Sequence, residues 1–249
     1  MVVINYTHII VLVVLVVLFS IICYQLFRNR EYKGIAEYPN RKKFRSVAAT
    51  KYSVAGPLQV AQEIEIFKSL FKNNPPKSII DATAHVGVDS VTFAYTFPDV
   101  NVTSVEIDTN TYEKLKYNIV NLGYGDRIKA VNMSADVYLS NLDHNVDLIY
   151  IAPPWGGRGY SSVSDLPLYD NDGNPTIPLS KVINIALKKT ELVIINAPYN
   201  FMVEEFKNNI DGDIESIRKI HRIDITANAS FIYIIIRPKK FNSNRINIS

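Results

Sequence analysis

One cysteine, Cys23, is the whole complement of this 249-residue chain. No intrachain disulfide and no cysteine-based metal cluster can form. The four histidines show no HExxH or similar ligand spacing, so no metal site is expected. Glycine is scarce, at ten residues, and no repeat or low-complexity tract is visible. Charge is absent from the first 27 positions. What is plentiful is apolar side chain, 47% of the residues. That excludes a disordered chain and is enough to fill a sizeable core.

The uncharged start contains the run Ile9–Phe27 (IIVLVVLVVLFSIICYQLF), with only Ser20 and Gln25 clearly polar. As a helix it would be about 28 Å long. That nearly matches a hydrocarbon core of about 30 Å. A cleaved signal peptide would need a basic n-region and an A-x-A site, and neither is present. The run reads as one transmembrane helix.

The formal net charge of +3 is unevenly spread. Residues 28–51 hold Arg28, Arg30, Lys33, Arg41, Lys42, Lys43, Arg45 and Lys51 against Glu31 and Glu37, a net +6. The end of the chain adds Arg237, Lys239, Lys240 and Arg245, a net +4. Residues 52–236 therefore carry −7. The chain divides into an anchor over 1–27, a basic juxtamembrane linker over 28–51, a domain over 52–237 and a basic tail over 238–249. Basic residues beside a membrane helix stay on the cytoplasmic side. The expectation is a single-pass membrane protein with a cytoplasmic C-terminal domain, its linker touching anionic lipid or RNA phosphate.

Past Tyr52 the patterning alternates. Helices are expected over Gln59–Phe71, Asp89–Phe97, Asn110–Leu122 and Leu179–Lys188. Strands are expected over Lys77–Asp81, Val100–Ile107, Arg127–Met133, Val146–Ile151 and Glu191–Asn196. Two final strands, Ile217–Ile225 and Ser230–Arg237, read as an antiparallel hairpin about Thr226–Ala229. Repeated β-α-β units imply an α/β fold, a mostly parallel Rossmann-like sheet with helices on both faces. Ligands of such sheets sit at the carboxyl ends of the strands.

Those ends carry acids in order. The first closes on Asp81, followed by the turn through Thr83, His85 and Gly87. The second ends at Glu106, 25 residues later, where an acid accepts hydrogen bonds from ribose hydroxyls. Asp136 follows the third, where an acid can accept from an adenine amino group. Ala152-Pro153-Pro154-Trp155-Gly156-Gly157 follows the fourth. Two prolines stiffen the backbone and leave fixed carbonyls, and Trp155 offers a planar base a stacking face. Exocyclic amines are poor nucleophiles, so chemistry on one mainly requires aiming it and holding its protons. The bland alternative is a stiff loop whose Trp plugs the core.

The ordered acids resemble a class I S-adenosylmethionine-dependent methyltransferase. PPWGG resembles, more narrowly, the RNA cap guanine-N2 methyltransferases, the trimethylguanosine synthase family. Tyr52-Ser53-Val54 is similar to that family's aromatic-Ser-Val lead-in. Asp81-Ala82…Val86-Gly87 resembles its cofactor turn, and Val105-Glu106-Ile107-Asp108 its acidic strand end. Ala197-Pro198-Tyr199-Asn200 stands where the family has a Pro-Arg-Asn segment. The resemblance spans roughly residues 45–237.

The resemblance implies S-adenosylmethionine as cofactor, with Asp81, Thr83 and Gly87 at its methionine part, Glu106 at its ribose and Asp136 at its adenine. It implies that Ala152, Pro153, Pro154 and Trp155 form the catalytic loop. Trp155 would stack on the positively charged 7-methylguanine of an RNA cap. Lys51, Tyr52, Arg158 and Asn200 join Trp155 as implied substrate contacts, and Lys42, Lys43 and Arg45 as partners of the cap phosphates. No obligate oligomer is expected. The sequence departs from the family at His85 and Val88, where small residues are usual. It departs again at Ala152, which offers no side-chain acceptor, and at Tyr199, in place of Arg. These departures motivate an alternative: a catalytically inactive, membrane-tethered cap-binding or scaffolding protein. A third reading keeps the enzyme and changes the substrate to adenine N6, guanine N2 in another RNA, or a glutamine amide.

Overall fold

The computed structural model describes residues 15–20, 44–46, 57–155, 164–220 and 231–239, without the side chains of 57 and 58. The chain groups into two units, Met1–Tyr38 and Pro39–Ser249. In the first unit, residues 15–20 are helical, and the Ser20 hydroxyl donates to the Val16 carbonyl at 2.8 Å. Most of the expected membrane span lies outside the described residues. Among the described residues no helix is long and apolar enough to cross a membrane.

The second unit opens, within the described residues, with helix α1 (Pro57–Leu70), then β1 (Ser78–Asp81), α2 (Val88–Thr96) and β2 (Asn101–Glu106). It continues with α3 (Thr109–Asn121), β3 (Ile128–Asn132), α4 (Ala135–Asn141) and β4 (Leu148–Ile151). A small hairpin, β5 (Pro167–Tyr169) and β6 (Pro175–Pro178), precedes α5 (Leu179–Ala186) and β7 (Val193–Pro198). The last elements are α6 (Val203–Lys207), β8 (Gly212–Ile220) and β9 (Phe231–Pro238). Seven strands form one sheet in the order β3-β2-β1-β4-β7-β9-β8. The pairs from β3 to β7 are parallel, and β9 runs antiparallel to both β7 and β8. The expected Rossmann-like α/β sheet with an antiparallel end is the observed one.

Local sequence explains the helices that frame the site. In α1, Val60, Ile64 and Phe67 fall on one helical face and are buried. Asn73-Asn74-Pro75-Pro76 then stops the helix. Asp108 caps α3, its carboxylate accepting from the Thr111 N–H at 2.7 Å. Those hydrogen bonds hold the Asp108 carboxyl below the usual carboxylate range. Gly123, at φ 81°, takes the left-handed conformation after α3. The Arg127 guanidinium donates to the carbonyls of Ala94, Phe97 and Pro98 and closes the end of α2.

Alternation along the strands splits the core into two faces. One holds Ile80, Ile149, Ile151, Val193, Ile195, Ile232 and Ile234, packed with Val182 and Ile183 of α5. The other holds Ile79, Leu148, Tyr150, Ile194, Tyr233 and Ile235 under Phe67, Phe93 and Leu115. Phe67 lies 4.8 Å from Phe93 between ring centres and meets Tyr150 edge-on at 6.3 Å. Asp81 belongs to this second face, beside Ile79 in alternation. A polar group on so apolar a face is what positions the site.

Candidate active site

Asp81 ends β1 fully buried, paired in register with Ser104 of β2 and Tyr150 of β4. Here the order of strands reverses, because the chain leaves β1 for β2 on one side and reaches β4 on the other. Such a switch point opens a crevice at the strand ends. Ser104 Oγ donates to Ser90 Oγ at 2.7 Å, and Ser90 Oγ donates to Asp81 Oδ2 at 2.6 Å. Asp81 Oδ1 is buried with no hydrogen-bond partner among the described residues. Burial, reinforced by the charges of Asp89 and Glu106, raises the Asp81 carboxyl to about 8.

The turn after β1 is tightly specified. Gly87 heads α2 at φ 93°, a conformation that disfavours any side chain. A Cβ there would also stand 2.6 Å from Leu115 Cδ1. His85 adopts φ 50° without being glycine, and this aims its N–H at Glu106 Oε2, 2.9 Å away. The other oxygen of Glu106 accepts from the Asp108 N–H at 2.8 Å. Burial raises the Glu106 carboxyl, and the two backbone N–H groups oppose that shift. Burial also lowers the His85 imidazole. Its Nδ1 is buried without a partner among the described residues. Asp136 lies in the first turn of α4 beyond β3, half-buried, on the same edge of the sheet.

The fourth strand's segment is fastened to this turn. Thr83 Oγ1 accepts from the Ala152 N–H at 2.7 Å, and the Ala82 N–H donates to the Tyr150 carbonyl at 2.9 Å. Pro153 is buried, Pro154 exposed, and Ala152 and Trp155 half-buried. The Trp155 Nε1–H donates to the Asn196 carbonyl of β7 at 3.3 Å. Its ring lies 6.1 Å from Phe231 of β9, inclined at 51°. The indole is thus held against the sheet along part of its surface.

The structure gathers Asp81, Thr83, Gly87, Glu106, Ala152, Pro153, Pro154 and Trp155 through these contacts. Asn200 is exposed in the turn after β7, which closes through the Phe201 N–H on the Pro198 carbonyl. Tyr199 is exposed beside it, with the Lys219 ammonium 5.2 Å from its ring centre. Lys51, Tyr52 and Arg158 lie outside the described residues, as do Lys42 and Lys43. Arg45 is described, and its guanidinium sits 3.4 Å over the Tyr117 ring of α3. Sequence reading missed Ser90, Ser104, Tyr150, Asn118 and Asn196. The signal was present for Asn196 alone, the one amide in an otherwise apolar strand. Among the described residues no group of three His, Cys, Asp or Glu could hold a metal ion.

Comparison with known proteins decides the family. The family model described as RNA cap guanine-N2 methyltransferase matches residues 76–238. The chain belongs to this methyltransferase family. A tRNA1(Val) (adenine(37)-N6)-methyltransferase of Flavobacterium psychrophilum is 26% identical over 130 residues, 51% of this chain and 55% of that protein. The chain spans about half the length of the curated relatives it matches. Among solved structures, a candidate RNA methyltransferase of Pyrococcus horikoshii superposes with a TM-score of 0.54 at 14% identity. It covers 79% of this chain and 95% of that one. TrmK of M. capricolum, solved with S-adenosylhomocysteine, gives 0.50 at 13% identity, over 76% and 70%. Both likenesses concern the fold.

S-adenosylmethionine is the cofactor that goes with this family, and the turn fits it. The Asp81 carboxyl is buried and has the Ser90 hydroxyl and the Thr83 N–H as its donors, while Oδ1 lacks a close partner among the described residues. Ionising it there is costly unless a further donor meets it. The ammonium of a methionine moiety is such a donor. Glu106, at the end of β2, and Asp136, in the first turn of α4 beyond β3, are the residues that would hold its ribose and its adenine.

Proposed function

We propose that this methyltransferase acts on guanine N2 of a 7-methylguanosine RNA cap. The observation that carries the reading is Trp155, held by Asn196 and Phe231 next to a proline-stiffened carbonyl segment. The family match and the ordered strand-end acids support it. Bound S-adenosylmethionine supplies an electrophilic methyl group. The protein's part is to bind, aim and desolvate. Trp155 would stack on the cationic 7-methylguanine, and the Ala152 carbonyl would accept a hydrogen bond from the amine. Thr83 fixes that carbonyl's segment through the Ala152 N–H. The uncharged first 27 residues and the +6 linker support tethering to a membrane, with the methyltransferase domain on the cytoplasmic face.

The test is methyl transfer by the full chain from labelled S-adenosylmethionine to 7-methylguanosine-capped RNA. Label at guanine N2 is expected. Trp155→Ala should weaken binding of a cap analogue about tenfold or more, the scale of base–aromatic stacking of about 1–3 kcal/mol. The Flavobacterium relative favours a second reading, methylation of adenine N6 in tRNA. Label on uncapped tRNA, with none on capped RNA, would select it. His85 at a left-handed φ, within the cofactor turn, favours the non-enzymatic alternative. Cap-analogue binding with no cofactor binding at millimolar concentration would select that one.

A further inference from the structure

Five of the six residues of β7 are apolar, and the sixth is Asn196. The register between β4 and β7 runs to Ile151↔Ile195. Asn196 is therefore the next residue along, beside Ala152, where the sheet meets the crevice. Strand alternation turns its side chain to the face that carries Ile194 and Tyr150. There Nδ2 donates to the Tyr150 hydroxyl at 3.3 Å. The backbone carbonyl of Asn196 receives the Trp155 indole N–H. Asn196 is thus fixed both at its side chain and at its main chain.

The remaining polar atom, Oδ1, is buried and has no hydrogen-bond partner among the described residues. Leaving such an oxygen bare costs about 1–3 kcal/mol, and native structures contain few of them. Turning the amide over would move Oδ1 onto the Tyr150 O–H, which donates as well as accepts, and leave Nδ2 bare in its place. In the orientation found, Nδ2 is on Tyr150 and Oδ1 is the free atom. Asn196 follows the last β4–β7 pair in register and so neighbours Ala152, where the fourth strand end is short of an acceptor. An exocyclic amine presents two N–H groups, and Ala152 supplies one carbonyl and no side-chain acceptor.

We propose that Asn196 Oδ1 is the second acceptor for the substrate's exocyclic amine, supplied from β7 in place of a side chain at position 152. The assignment rests on the cap reading above. It makes Asn196 a substrate-orienting residue: it holds one amine N–H by a hydrogen bond while the base stacks on Trp155. It also gives the site a way to prefer bases that carry the amine. A base without it leaves Oδ1 unpaired, the asymmetry by which polar sites reject analogues.

The single Trp lets quenching of intrinsic fluorescence report base binding in the full chain. The probes are the diphosphates of 7-methylguanosine and 7-methylinosine, which differ in the 2-amino group. The wild-type protein should bind the guanosine form about a hundredfold more tightly, the effect of two hydrogen bonds of about 1.4 kcal/mol each. Asn196→Leu should keep only the share of the preference that the Ala152 carbonyl supplies, about tenfold, one hydrogen bond of about 1.4 kcal/mol. Asn196→Asp, still an acceptor, should keep the preference, and it answers the question if the leucine variant does not fold. Equal binding of both probes by the wild type overturns the assignment and leaves the cap reading intact. So does a preference unchanged in Asn196→Leu, or lost in Asn196→Asp. Quenching by neither probe in the wild type overturns the cap reading and the assignment with it.

Discussion

Asp81 sets the chemistry of the site at the scale of single residues. Its carboxyl is raised to about 8 by burial and by Asp89, against an ordinary value of about 3.9 in an unfolded chain. Between these values the folded protein keeps a proton that the unfolded chain gives up. Stability therefore falls as pH rises from about 4 to about 8, by at most about 1.4 kcal/mol per pH unit from this group. Asp81→Asn should flatten that slope in urea titrations across the window. The same shift makes a second prediction. An ammonium brought to Asp81 favours the ionised carboxylate, so cofactor binding near pH 7 should release a proton. Calorimetry with S-adenosylhomocysteine in two buffers of different ionisation enthalpy measures that release. Thr83→Val removes the acceptor for the Ala152 N–H and should cost about 1–3 kcal/mol. Denaturant midpoints check it, and Thr83→Ser should restore most of the loss. None of these hydroxyl contacts was legible in the sequence, because Thr83, Ser90 and Ser104 are ordinary polar residues until the strands lie side by side.

Elements with clear periodicity or caps were legible, and short ones were not. Expected and observed bounds of α1, α2 and α3 agree closely, because each has an apolar face long enough to show its period. Helices α4 and α6 and the hairpin β5–β6 were missed, since a few residues carry no readable period. The expected strand Ile217–Ile225 begins five positions earlier, at Gly212, and its last five residues, with the expected link Thr226–Ala229, lie outside the described residues. Its acidic, alternating start hides it, and charge is normal on an edge strand. One element joins parts that the sequence left unconnected. Asn118 of α3 is buried, donates to the carbonyls of Arg45 and Val86, and accepts from the Arg45 N–H at 2.7 Å. The segment at residues 44–46 is thereby pinned next to the cofactor turn. Asn118→Ala should release it, at a cost of about 1–3 kcal/mol. Faster cleavage after Arg45 in limited trypsin digestion would show this, with cofactor affinity falling in parallel because Val86 loses its anchor.

For the whole molecule, the uneven charge has a structural counterpart at its C-terminal end. Arg237, counted with the basic tail, lies in β9 and pairs with Glu215 of β8. Lys239 Nζ donates to the Ile210 carbonyl. Two of the four cations of that end thus belong to the folded domain. A ligand that binds only the folded state stabilises it by about 2.7 kcal/mol at one hundred times its Kd. S-adenosylhomocysteine at that excess should raise Tm by about 5–10 °C for a domain of this size. Differential scanning fluorimetry on the full chain measures it.

The sequence by itself determined the alternation of strands and helices, the mostly parallel sheet and the acids at Asp81, Glu106 and Asp136. These follow from periodicity and from chain order, which are local. It also fixed the PPW segment and, through it, the family. The tertiary structure alone decided the strand order, and with it which residues meet across strands. It set Asn196 beside Ala152, Trp155 on the Asn196 carbonyl and Ser90 on Asp81. Such contacts join residues from 9 to 46 positions apart. No periodicity encodes them, because they arise only when the strands pair and the helices cover the sheet.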